Sequence, residues 1–371
     1  MRTKKNGKIR ILFTIPNFDT AGSGKHMVDL IGKLDPNEFE PSICCEHEKG
    51  LYFKHVKELG YPIFIRKLAP TRQKYPSGLQ SVIRNARFFK KGKFDLIHSF
   101  HWQSDWFEPL AAKLAGIPWI YTKKSMVWNK HWTIRNFLAK WIFTLNPEMH
   151  AIYPIAERKS KCVGLGPDVN EILHRIQGLS KQKLREGLGL DDKKVILSIA
   201  NLVPIKKIDV LVRAFAKLKA NTHCHLLIVG DKDTIYGRDI KLLVQQLQLQ
   251  SQVTFSGKVV DVEKYIQMAD LYVQPSLSEA SGVACMEACA AGIPAIGSDV
   301  AGLRYVIGNK ELLFQPDSES QLLEKMEFML AKSQEELSEI GKELQNRMFE
   351  LFHLPIVAKE HQVVYEKLSQ R

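Results

Sequence analysis

The sequence predicts an α/β protein made of two doubly wound parallel sheets that are covered by helices, and three observations support this prediction. Short apolar runs alternate with amphipathic stretches along most of the chain, which is typical of right-handed βαβ units. Two separate series of such units follow one another. The chain has 371 residues, more than a single hydrophobic core usually serves. We therefore expect two domains, with ligands bound at the carboxyl ends of the strands.

Each half of the chain contains five runs of strand-like composition. They are residues 9–15, 41–45, 62–65, 94–100 and 118–122 in the first half, and 195–200, 225–230, 253–257, 270–276 and 294–298 in the second. Helices are predicted between them, at residues 25–34, 80–89, 109–115, 210–219, 240–249 and 262–268. The order of these elements is the evidence for parallel sheets.

The join between the two predicted domains lies in the glycine-rich turn GLGPD at residues 164–168, which a polar helix at 180–188 follows. We expect an N-terminal domain of residues 1–166 and a C-terminal domain of residues 167–354. From residue 319 the pattern is helical, and Leu354-Pro355 interrupts it. The last segment, 355–371, is therefore expected to be a helix that crosses back to the first domain.

Charge is unevenly divided between the two halves. Residues 1–185 contain 32 Lys and Arg against 15 Asp and Glu, whereas the rest contain 21 against 25. The whole chain has a net charge of +13. A basic half beside a mildly acidic half indicates two tasks, and the basic half is expected to meet an anionic partner.

Cysteine usage and hydropathy indicate a cytoplasmic location. The six cysteines form no CxxC pair, so reduced thiols are favoured over metal ligands or disulfides. No apolar run is long enough for a membrane span. The basic and then apolar start of the chain is interpreted as a first β-strand rather than a signal peptide, because the apolar run is short and residues 16–19 (PNFD) follow it.

The most informative segment is PSLSEASGVACMEACAAGIPAIGSD, which contains Glu279 and Glu287. A strand precedes it, a helix of small residues at 281–291 follows, and Gly-Ile-Pro ends that helix. If helical rise applies between them, the two glutamates lie roughly 12 Å apart. Carboxylates at both ends and helix N–H groups between them suit a ligand with hydroxyls at both ends and an anionic centre. The alternative is two surface glutamates on a solvated helix, which the small apolar neighbours disfavour.

Two further loops each have a functional and a plain interpretation, and a third has a functional one. Gly22 and Gly24 follow the first strand and would let a phosphate or sugar approach the backbone, or they form only a tight turn. Lys206 and Lys207 follow a strand of the second series and would neutralise a diphosphate, or they are a solvated charge pair. Lys258, after the strand at 253–257, is placed to line a base pocket.

Two histidines lie at the end of another strand of the first series. His98 and His101 are placed there, with Trp102 and Trp106 as flat apolar surfaces for a sugar ring. The alternative is that the histidines and tryptophans are core residues. No carboxylate in a metal-ligand pattern accompanies the histidines, so we expect no metal site here.

Taken together, these motifs resemble those of a known family. Glu279, seven intervening residues and Glu287 have the EX7E spacing of retaining glycosyltransferases with the GT-B fold, which has two Rossmann-like domains facing a cleft. The resemblance is closest to family 4, also called glycosyl transferases group 1. It covers nearly the whole chain through the glycine loop, DLIHS, the lysine loop, IVGD, VTFSGKV and the EX7E segment.

The resemblance implies a reaction and a division of tasks between the domains. A nucleotide sugar would bind mainly to the C-terminal domain and its acceptor, a glycan or lipid-linked molecule, mainly to the N-terminal domain. A hexosyl group would be transferred with retention of anomeric configuration, in cell-surface polysaccharide or glycolipid synthesis. No cofactor is implied, and a metal is not expected because no DxD cluster lies in a suitable loop.

The resemblance also implies the role of each candidate residue. Glu287 would hold the ribose hydroxyls, and Glu279 would orient the donor sugar. Gly22 and Gly24 would leave room beside the diphosphate, and His98 or His101 would contact the donor sugar. The departing diphosphate would be stabilised by Lys206 and by the N–H groups of Ser281, Gly282 and Val283. Lys207, Asn201 and Lys258 complete the expected donor-binding set.

Three positions depart from the family pattern. Asn201 stands where the family usually has an arginine that helps to hold the diphosphate. Ser281 stands where the family usually has an aromatic residue, and the second histidine of the usual His-x-His is displaced by one residue, to His101. These departures leave open how the diphosphate is held and which histidine faces the sugar.

Other functions remain as alternatives. A nucleotide-sugar epimerase or a sugar phosphorylase would share the fold, and an epimerase would convert its donor without any acceptor. A nucleic-acid-binding protein is suggested by charge alone, but no recognised binding module interleaves basic and stacking aromatic residues, so we expect no nucleic-acid partner.

The densest basic segment, residues 84–93 (RNARFFKKGK), contains five cations and two phenylalanines. Such a surface suits the headgroup layer of an anionic membrane, which would make the protein peripheral at the inner face of the membrane. The alternative is a solvated helix end with Phe88 and Phe89 packed inward.

Overall fold

The computed structural model describes residues 7–19, 21–50, 52–68, 75–101, 106–218 and 223–369. The chain divides into two compact units. Unit 1 comprises Met1–Leu165 together with Leu354–Arg371, and unit 2 comprises Gly166–His353. The boundaries expected from the sequence, after residues 166 and 354, each lie one residue further along the chain.

The described part of unit 1 contains a sheet of seven strands, all paired in parallel. The strands are β1 (Ile9–Thr14), β2 (Phe39–Cys45), β3 (Ile63–Ile65), β4 (Leu96–Ser99), β5 (Trp119–Lys123), β6 (Trp141–Thr144) and β7 (Ser160–Cys162). Their spatial order is β3-β2-β1-β4-β5-β6-β7. The order reverses between β1 and β4, and the carboxyl ends of strands at such a reversal are where ligands bind in open α/β sheets.

Helices connect these strands. They are α1 (Ala21–Gly32), α2 (Phe53–Glu58), α3 (Tyr75–Gly92), α4 (Phe107–Ala115), α5 (Lys130–Leu138) and α6 (Glu148–Ile152). A cap supports α5 at its start, where the Asn129 side chain accepts hydrogen bonds from the N–H groups of His131 and Trp132. At the C-terminal end of α4, Gly116 adopts the left-handed conformation that commonly ends a helix.

The described part of unit 2 contains a second parallel sheet, of six strands. They are β8 (Lys194–Ile199), β9 (Cys224–Val229), β10 (Val253–Gly257), β11 (Leu271–Gln274), β12 (Ala295–Ser298) and β13 (Leu313–Phe314). The order is β10-β9-β8-β11-β12-β13, which reverses between β8 and β11. The nine helices seen here are α7 (Val169–Gln177), α8 (Lys181–Glu186), α9 (Ile208–Ala216), α10 (Ile235–Gln246), α11 (Glu263–Met268), α12 (Val283–Ala290), α13 (Ala301–Ile307), α14 (Glu319–Leu330) and α15 (Gln334–Arg347).

The last helix, α16 (Leu354–Ser369), belongs to unit 1 rather than to the unit that precedes it. Pro355 lies in its first turn, where the missing backbone N–H costs no helical hydrogen bond. Two aromatic side chains of α16, His361 and Tyr365, are fully buried against the sheet of unit 1. The Tyr365 ring packs edge-on against Phe13 of β1, with ring centroids 6.2 Å apart.

The sequence predicted the order of elements better than their number and limits. All ten expected strands are present, but β6, β7 and β13 were missed because runs of two to four residues carry little periodic signal. Helix α1 begins four residues before its predicted start, so Gly22 and Gly24 lie within the helix rather than in a loop. None of the described helices is both long enough and apolar enough to cross a bilayer.

Buried histidines are expected to make the stability of the protein depend on pH. Burial lowers the pKa of His26 and of His361 from 6.5 to about 4. The unfolded chain therefore binds protons that the folded chain does not, and the stabilisation present above pH 6.5 is lost as the pH falls towards 4. We expect a loss of about 3 kcal/mol per histidine, measured as the free energy of urea unfolding between pH 7.5 and pH 4.5.

Two substitutions test this origin of the acid sensitivity. His361→Phe keeps a ring in the core but removes the titrating nitrogens, so its unfolding free energy should depend less on pH than that of the wild type. His174→Asn, at an exposed position on α7, should leave the pH dependence unchanged. Identical pH profiles for His361→Phe and the wild type would contradict the explanation.

Candidate active site

The candidate site of unit 2 lies at the carboxyl ends of β8 and β11, which are parallel neighbours at the reversal of strand order. The loops that follow these two strands are joined by a backbone hydrogen bond in which Leu277 N–H donates to the Ile205 carbonyl at 2.8 Å. This bond brings Lys206, next to Ile205, close to Glu279. The sequence placed these two residues in separate loops, and the structure brings them together.

Glu279 is held by three donors on one carboxylate oxygen. Its Oε1 accepts hydrogen bonds from Lys206 Nζ, from Gln274 Nε2 and from Ser276 Oγ, the last at 2.9 Å. The Glu279 side chain is 11% exposed and that of Lys206 is 21% exposed. A carboxylate this far from solvent needs such partners, and the contact with the ammonium group is the strongest kind of hydrogen bond available to it.

Gln274 is itself oriented by a buried tyrosine. The Tyr272 hydroxyl donates to Gln274 Oε1 at 3.1 Å, which turns the amide nitrogen of Gln274 towards Glu279. Burial raises the pKa of Tyr272, so its hydroxyl remains a donor. Sequence reasoning missed Gln274 and Ser276, and the signal that could have found them is their position at and just after the end of β11, five and three residues before Glu279.

The backbone around Glu279 is fixed by a close approach of α13. Gly302 N–H donates to the Glu279 carbonyl at 3.0 Å. A Cβ atom on Gly302 would lie 2.7 Å from that carbonyl oxygen and 2.7 Å from Ser281 N, so this position requires glycine. Gly282, with φ +74°, turns the chain into α12. The position of Glu279 therefore depends on two glycines.

Helix α12 begins later than the sequence predicted. Val283 is its first residue and Gly282 precedes it as the N-cap, whereas the predicted helix began at 281. Glu279 therefore lies in the loop before the helix, and the separation of Glu279 and Glu287 that assumed helical rise is not valid. Ser281 and Gly282 are buried, while Val283 and Glu287 are half-buried. Glu287 lies in the second turn of α12.

The two lysines of the loop after β8 point to different partners. Lys207 Nζ lies 2.7 Å from Asp317 Oδ1 and 4.0 Å from Asp209 Oδ2. The hydrogen bond to Asp317 raises the pKa of Lys207. Of these two lysines, Lys206 is the one that contacts Glu279. Asn201 and Lys258 are both exposed, in the loops that follow β8 and β10.

His98 is a core residue of unit 1. It is fully buried in β4, with Nδ1 2.7 Å from the Tyr365 hydroxyl and Nε2 2.9 Å from Thr122 Oγ1. Burial lowers its pKa well below the usual range. Both ring nitrogens are used inside the core, so the expected contact of His98 with a sugar is not retained. The alternative of a structural histidine describes His98 correctly.

His101 is placed differently, just beyond the end of β4. Its side chain is buried, and Nε2 lies 3.5 Å from Glu46 Oε1, beyond the end of β2. Of the two nearby tryptophans, Trp106 is half-buried and stacks on Phe107 with ring centroids 4.3 Å apart. Trp102 lies outside the described residues.

The glycines of α1 separate into two kinds. A Cβ atom on Gly24 would lie 2.7 Å from the ring of Phe18, so Gly24 is required for packing within unit 1. Among the described residues, a Cβ atom on Gly22 would meet no atom within 4 Å. Room beside the backbone therefore exists at Gly22, whereas Gly24 has a structural explanation of its own.

The basic segment at residues 84–93 lies mainly on α3, and its two aromatic side chains face inward. Phe89 is fully buried, and Phe88 packs against Phe64 and Phe94 with ring centroids 5.3 Å and 6.0 Å apart. Four cations of α3 are exposed, namely Arg84, Arg87, Lys90 and Lys91. The surface of this segment is therefore mainly cationic, with Phe88 half-buried, and the inward-packed alternative describes the two phenylalanines better.

Two family models match the chain, one in each unit. The model described as Glycosyltransferase Family 4 matches residues 20–157, and the model described as Glycosyl transferases group 1 matches residues 180–347. The second match contains Lys206, Glu279 and Glu287. Together the two models cover most of the chain.

Individual relatives are more distant. N-acetyl-alpha-D-glucosaminyl L-malate synthase of Bacillus anthracis is 26% identical over 199 residues, 53% of this chain and 51% of that protein. Alpha-monoglucosyldiacylglycerol synthase of Streptococcus pneumoniae is 32% identical over 133 residues, 35% of this chain and 30% of that protein. The matches thus span about half of the length of the first relative and less than a third of the second.

Solved structures show the same fold along nearly the whole chain. The Anabaena protein HepE, solved in complex with UDP and glucose, is 17% identical, with a TM-score of 0.82 over 98% of this chain and 100% of that one. At this identity the likeness concerns the fold alone. With the two family models and the two parallel sheets, it leads to one assignment: the chain has the GT-B fold and belongs to glycosyltransferase family 4.

Proposed function

We propose that this glycosyltransferase moves a hexosyl group from a nucleotide sugar to a glycan or lipid-linked acceptor, with retention of anomeric configuration. The observation that carries the proposal is the contact between Lys206 and Glu279 at the carboxyl ends of β8 and β11. It puts an ammonium group for an anionic leaving group and a carboxylate for sugar hydroxyls in one place. The two relatives named above are synthases of a glucosaminyl malate and of a monoglucosyldiacylglycerol, so the molecules that carry the sugar differ between them.

In the proposed reaction the acceptor hydroxyl attacks the anomeric carbon on the face from which the nucleoside diphosphate leaves. The leaving oxygen takes the proton of that hydroxyl, so no protein base is required. Negative charge develops on the diphosphate, and Lys206 and the N–H groups of Ser281, Gly282 and Val283 stabilise it. Glu279, held by Gln274 and Ser276, orients the donor sugar.

We further propose that transfer needs no bound metal, because a protein ammonium group supplies positive charge beside the diphosphate. Lys206 and the backbone N–H groups of the loop before α12 then stabilise the negative charge that develops on the departing diphosphate. Activity should remain in the presence of excess EDTA, and loss of activity that Mg²⁺ or Mn²⁺ restores would contradict this part of the proposal.

The donor can be identified by thermal-shift screening of the purified chain against UDP-, GDP- and ADP-sugars. A ligand at 100 times its dissociation constant stabilises a protein by about 2.7 kcal/mol, which is readily detected. Stabilisation by one nucleotide class is the expected result. No stabilisation by any nucleotide sugar, or stabilisation only by nucleic acid, would contradict the proposed function.

Glu287 is expected to hold the ribose of that donor. Glu287→Ala removes an acceptor of two ribose hydroxyls, so the free nucleoside diphosphate should bind about tenfold to a hundredfold more weakly, as measured by titration calorimetry. Glu324→Ala, at an exposed position of α14 in the same unit, is the matched control and should bind like the wild type. Unchanged affinity in a correctly folded Glu287→Ala protein would remove Glu287 from the site.

We also propose that unit 1 docks on the inner face of an anionic membrane, since acceptors that are lipid-linked lie there. The support is the basic half of the chain and the four exposed cations of α3, each worth about 1 kcal/mol near such a surface. Phe89 is buried and the half-buried Phe88 packs against Phe64 and Phe94, so the attraction is expected to be mainly electrostatic. The protein should sediment with anionic but not neutral liposomes, and salt should reverse this.

A charge-matched pair of variants tests the docking surface. Replacing Arg84, Arg87, Lys90 and Lys91 with Ser should reduce sedimentation and leave nucleotide binding intact. Four exposed cations of unit 2 serve as the control, namely Arg213, Lys264, Lys310 and Lys342. Replacing these four with Ser should reduce sedimentation less than replacing the four cations of α3. Equal partitioning to neutral and anionic liposomes, or none to either, would favour a soluble acidic acceptor instead.

A further inference from the structure

We infer that Glu46 and His101 together form a subsite in unit 1 that binds one hydroxyl group of a sugar or polyol. The inference rests on the proposed function, because it assigns a substrate contact within that reaction. Glu46 was not among the residues that the sequence pattern singled out. We call the side chains of Glu46 and His101 the hydroxyl pair.

The hydroxyl pair spans the place in the sheet where a ligand is expected. Glu46 directly follows β2, His101 lies just beyond β4, and β1 runs between these two strands. The strand order reverses between β1 and β4, and open α/β sheets bind ligands outside the carboxyl ends of the strands at such a reversal. The two side chains therefore meet over the end of β1.

The facing atoms of the pair are buried and have unused hydrogen-bonding capacity. His101 is 5% exposed and the Glu46 side chain 15%. Nε2 of His101 lies 3.5 Å from Oε1 of Glu46, and neither atom has a hydrogen-bond partner among the described residues. Buried polar atoms without partners are few in native proteins and are often explained by a ligand or water.

The backbone on both sides fixes the position of the pair. Glu46 N–H donates to the Pro16 carbonyl at 2.8 Å, in the loop that follows β1. His101 N–H donates to Ser99 Oγ at 3.3 Å, and its carbonyl accepts from Arg135 Nη2 at 3.3 Å. The Arg135 guanidinium lies 4.8 to 5.1 Å from the ring centroids of three aromatic residues, Trp119, Tyr121 and Trp132. The fold, rather than contact between the two side chains, thus holds the pair in place.

The chemistry of the two atoms selects a neutral hydroxyl. A carboxylate oxygen only accepts hydrogen bonds, and Nε2–H of a neutral imidazole donates one. A hydroxyl can donate to Glu46 and accept from His101 at the same time, which satisfies both atoms. A phosphate or carboxylate group would be repelled by Glu46. The ligand group is therefore a hydroxyl, supplied either by the donor sugar or by the acceptor.

Three variants test the hydroxyl pair. Glu46→Ala removes the carboxylate, Glu46→Gln keeps its size and one neutral acceptor, and Glu48→Gln, at an exposed position two residues further on, is the matched control. The measurements are the dissociation constants of the nucleotide sugar found in the screen and of its free nucleoside diphosphate, with donor and acceptor KM and kcat. Thermal unfolding of each variant reports whether it is folded.

The two sources of the hydroxyl give different results. If the donor sugar supplies it, Glu46→Ala weakens binding of the nucleotide sugar about tenfold and spares that of the nucleoside diphosphate. If the acceptor supplies it, acceptor KM rises about tenfold and both donor dissociation constants stay unchanged. In either case Glu46→Gln has the smaller effect and Glu48→Gln none. Unchanged dissociation constants and KM values in a folded Glu46→Ala protein would overturn the inference.

A separate measurement distinguishes failure of the pair from failure of the proposed function. In protein labelled with ¹⁵N-histidine, the Nε2 resonance of His101, assigned with His101→Asn, should shift on addition of glycerol. The shift should be lost in Glu46→Ala and kept in Glu48→Gln. If no nucleotide sugar binds but this pattern is seen, the proposed donor is wrong and the hydroxyl pair stands. If glycerol shifts the resonance equally in all three proteins, or in none, the pair is wrong.

Discussion

Glu279→Gln should lower kcat about a hundredfold and leave the affinity for the nucleoside diphosphate nearly unchanged. The amide oxygen of glutamine can still accept from Gln274 and Ser276, so the loop should keep its shape, but the negative charge beside Lys206 is lost. Because Glu279 is assigned to the sugar rather than to the nucleotide, the loss should appear in turnover. Steady-state kinetics and calorimetric titration with the nucleoside diphosphate measure the two quantities.

The matched control for Glu279 is Glu311→Gln, an exposed glutamate of the same unit, which should behave like the wild type. If Glu279→Gln instead lost nucleoside diphosphate binding and kept full turnover at saturating donor, the roles assigned to Glu279 and Glu287 would be reversed. A mutant that fails to fold would be recognised by its unfolding curve, and Glu279→Asp, which keeps the charge but shortens the reach, then provides the second test.

Lys206→Ala should lower kcat at least about tenfold, whereas Lys207→Ala should change it little. The reason is geometric, because Lys206 contacts Glu279 and Lys207 is turned to Asp317 and Asp209. The Asp317 side chain is 53% exposed, so loss of its ion pair with Lys207 should cost at most about 1 kcal/mol of stability. The two adjacent lysines thus serve as control for one another.

Equal effects of the two lysine substitutions would contradict this assignment. Equal and small effects would place the diphosphate contact elsewhere in unit 2. If donor binding survives in Lys206→Ala, Asn201→Arg, which restores the residue usual in the family, should tighten it, because the exposed side chain of Asn201 lies in the same loop.

The sequence was sufficient for the fold because each sheet repeats one local pattern. Alternating apolar and amphipathic runs predicted parallel sheets, and the order of the elements was correct in both units. The family resemblance and the glutamate spacing also led to the correct family. Short strands were the main omission. Strand β13 has only two residues, and it depends on its parallel pairing with β12, which leaves no pattern in the sequence of β13 itself.

Contacts between residues far apart in sequence were beyond prediction. His98 looked like a sugar contact because it ends a strand, but Tyr365, 267 positions further on, occupies one of its ring nitrogens. In the sequence Lys207 is equivalent to Lys206, but in the structure it forms an ion pair with Asp317. The glycine at 302 carried no signal at all, since its role comes from the approach of α13 to the Glu279 backbone. Side-chain roles therefore required the tertiary structure.

Retention is tested by the anomeric configuration of the transfer product, determined by ¹H NMR from the coupling of the anomeric proton. The donor is the nucleotide sugar identified by thermal shift, and candidate glycan and lipid-linked acceptors are supplied with it. We expect release of the nucleoside diphosphate and a product with the same anomeric configuration as the donor. An inverted product, or conversion of the donor to an epimer when no acceptor is present, would contradict the proposed function.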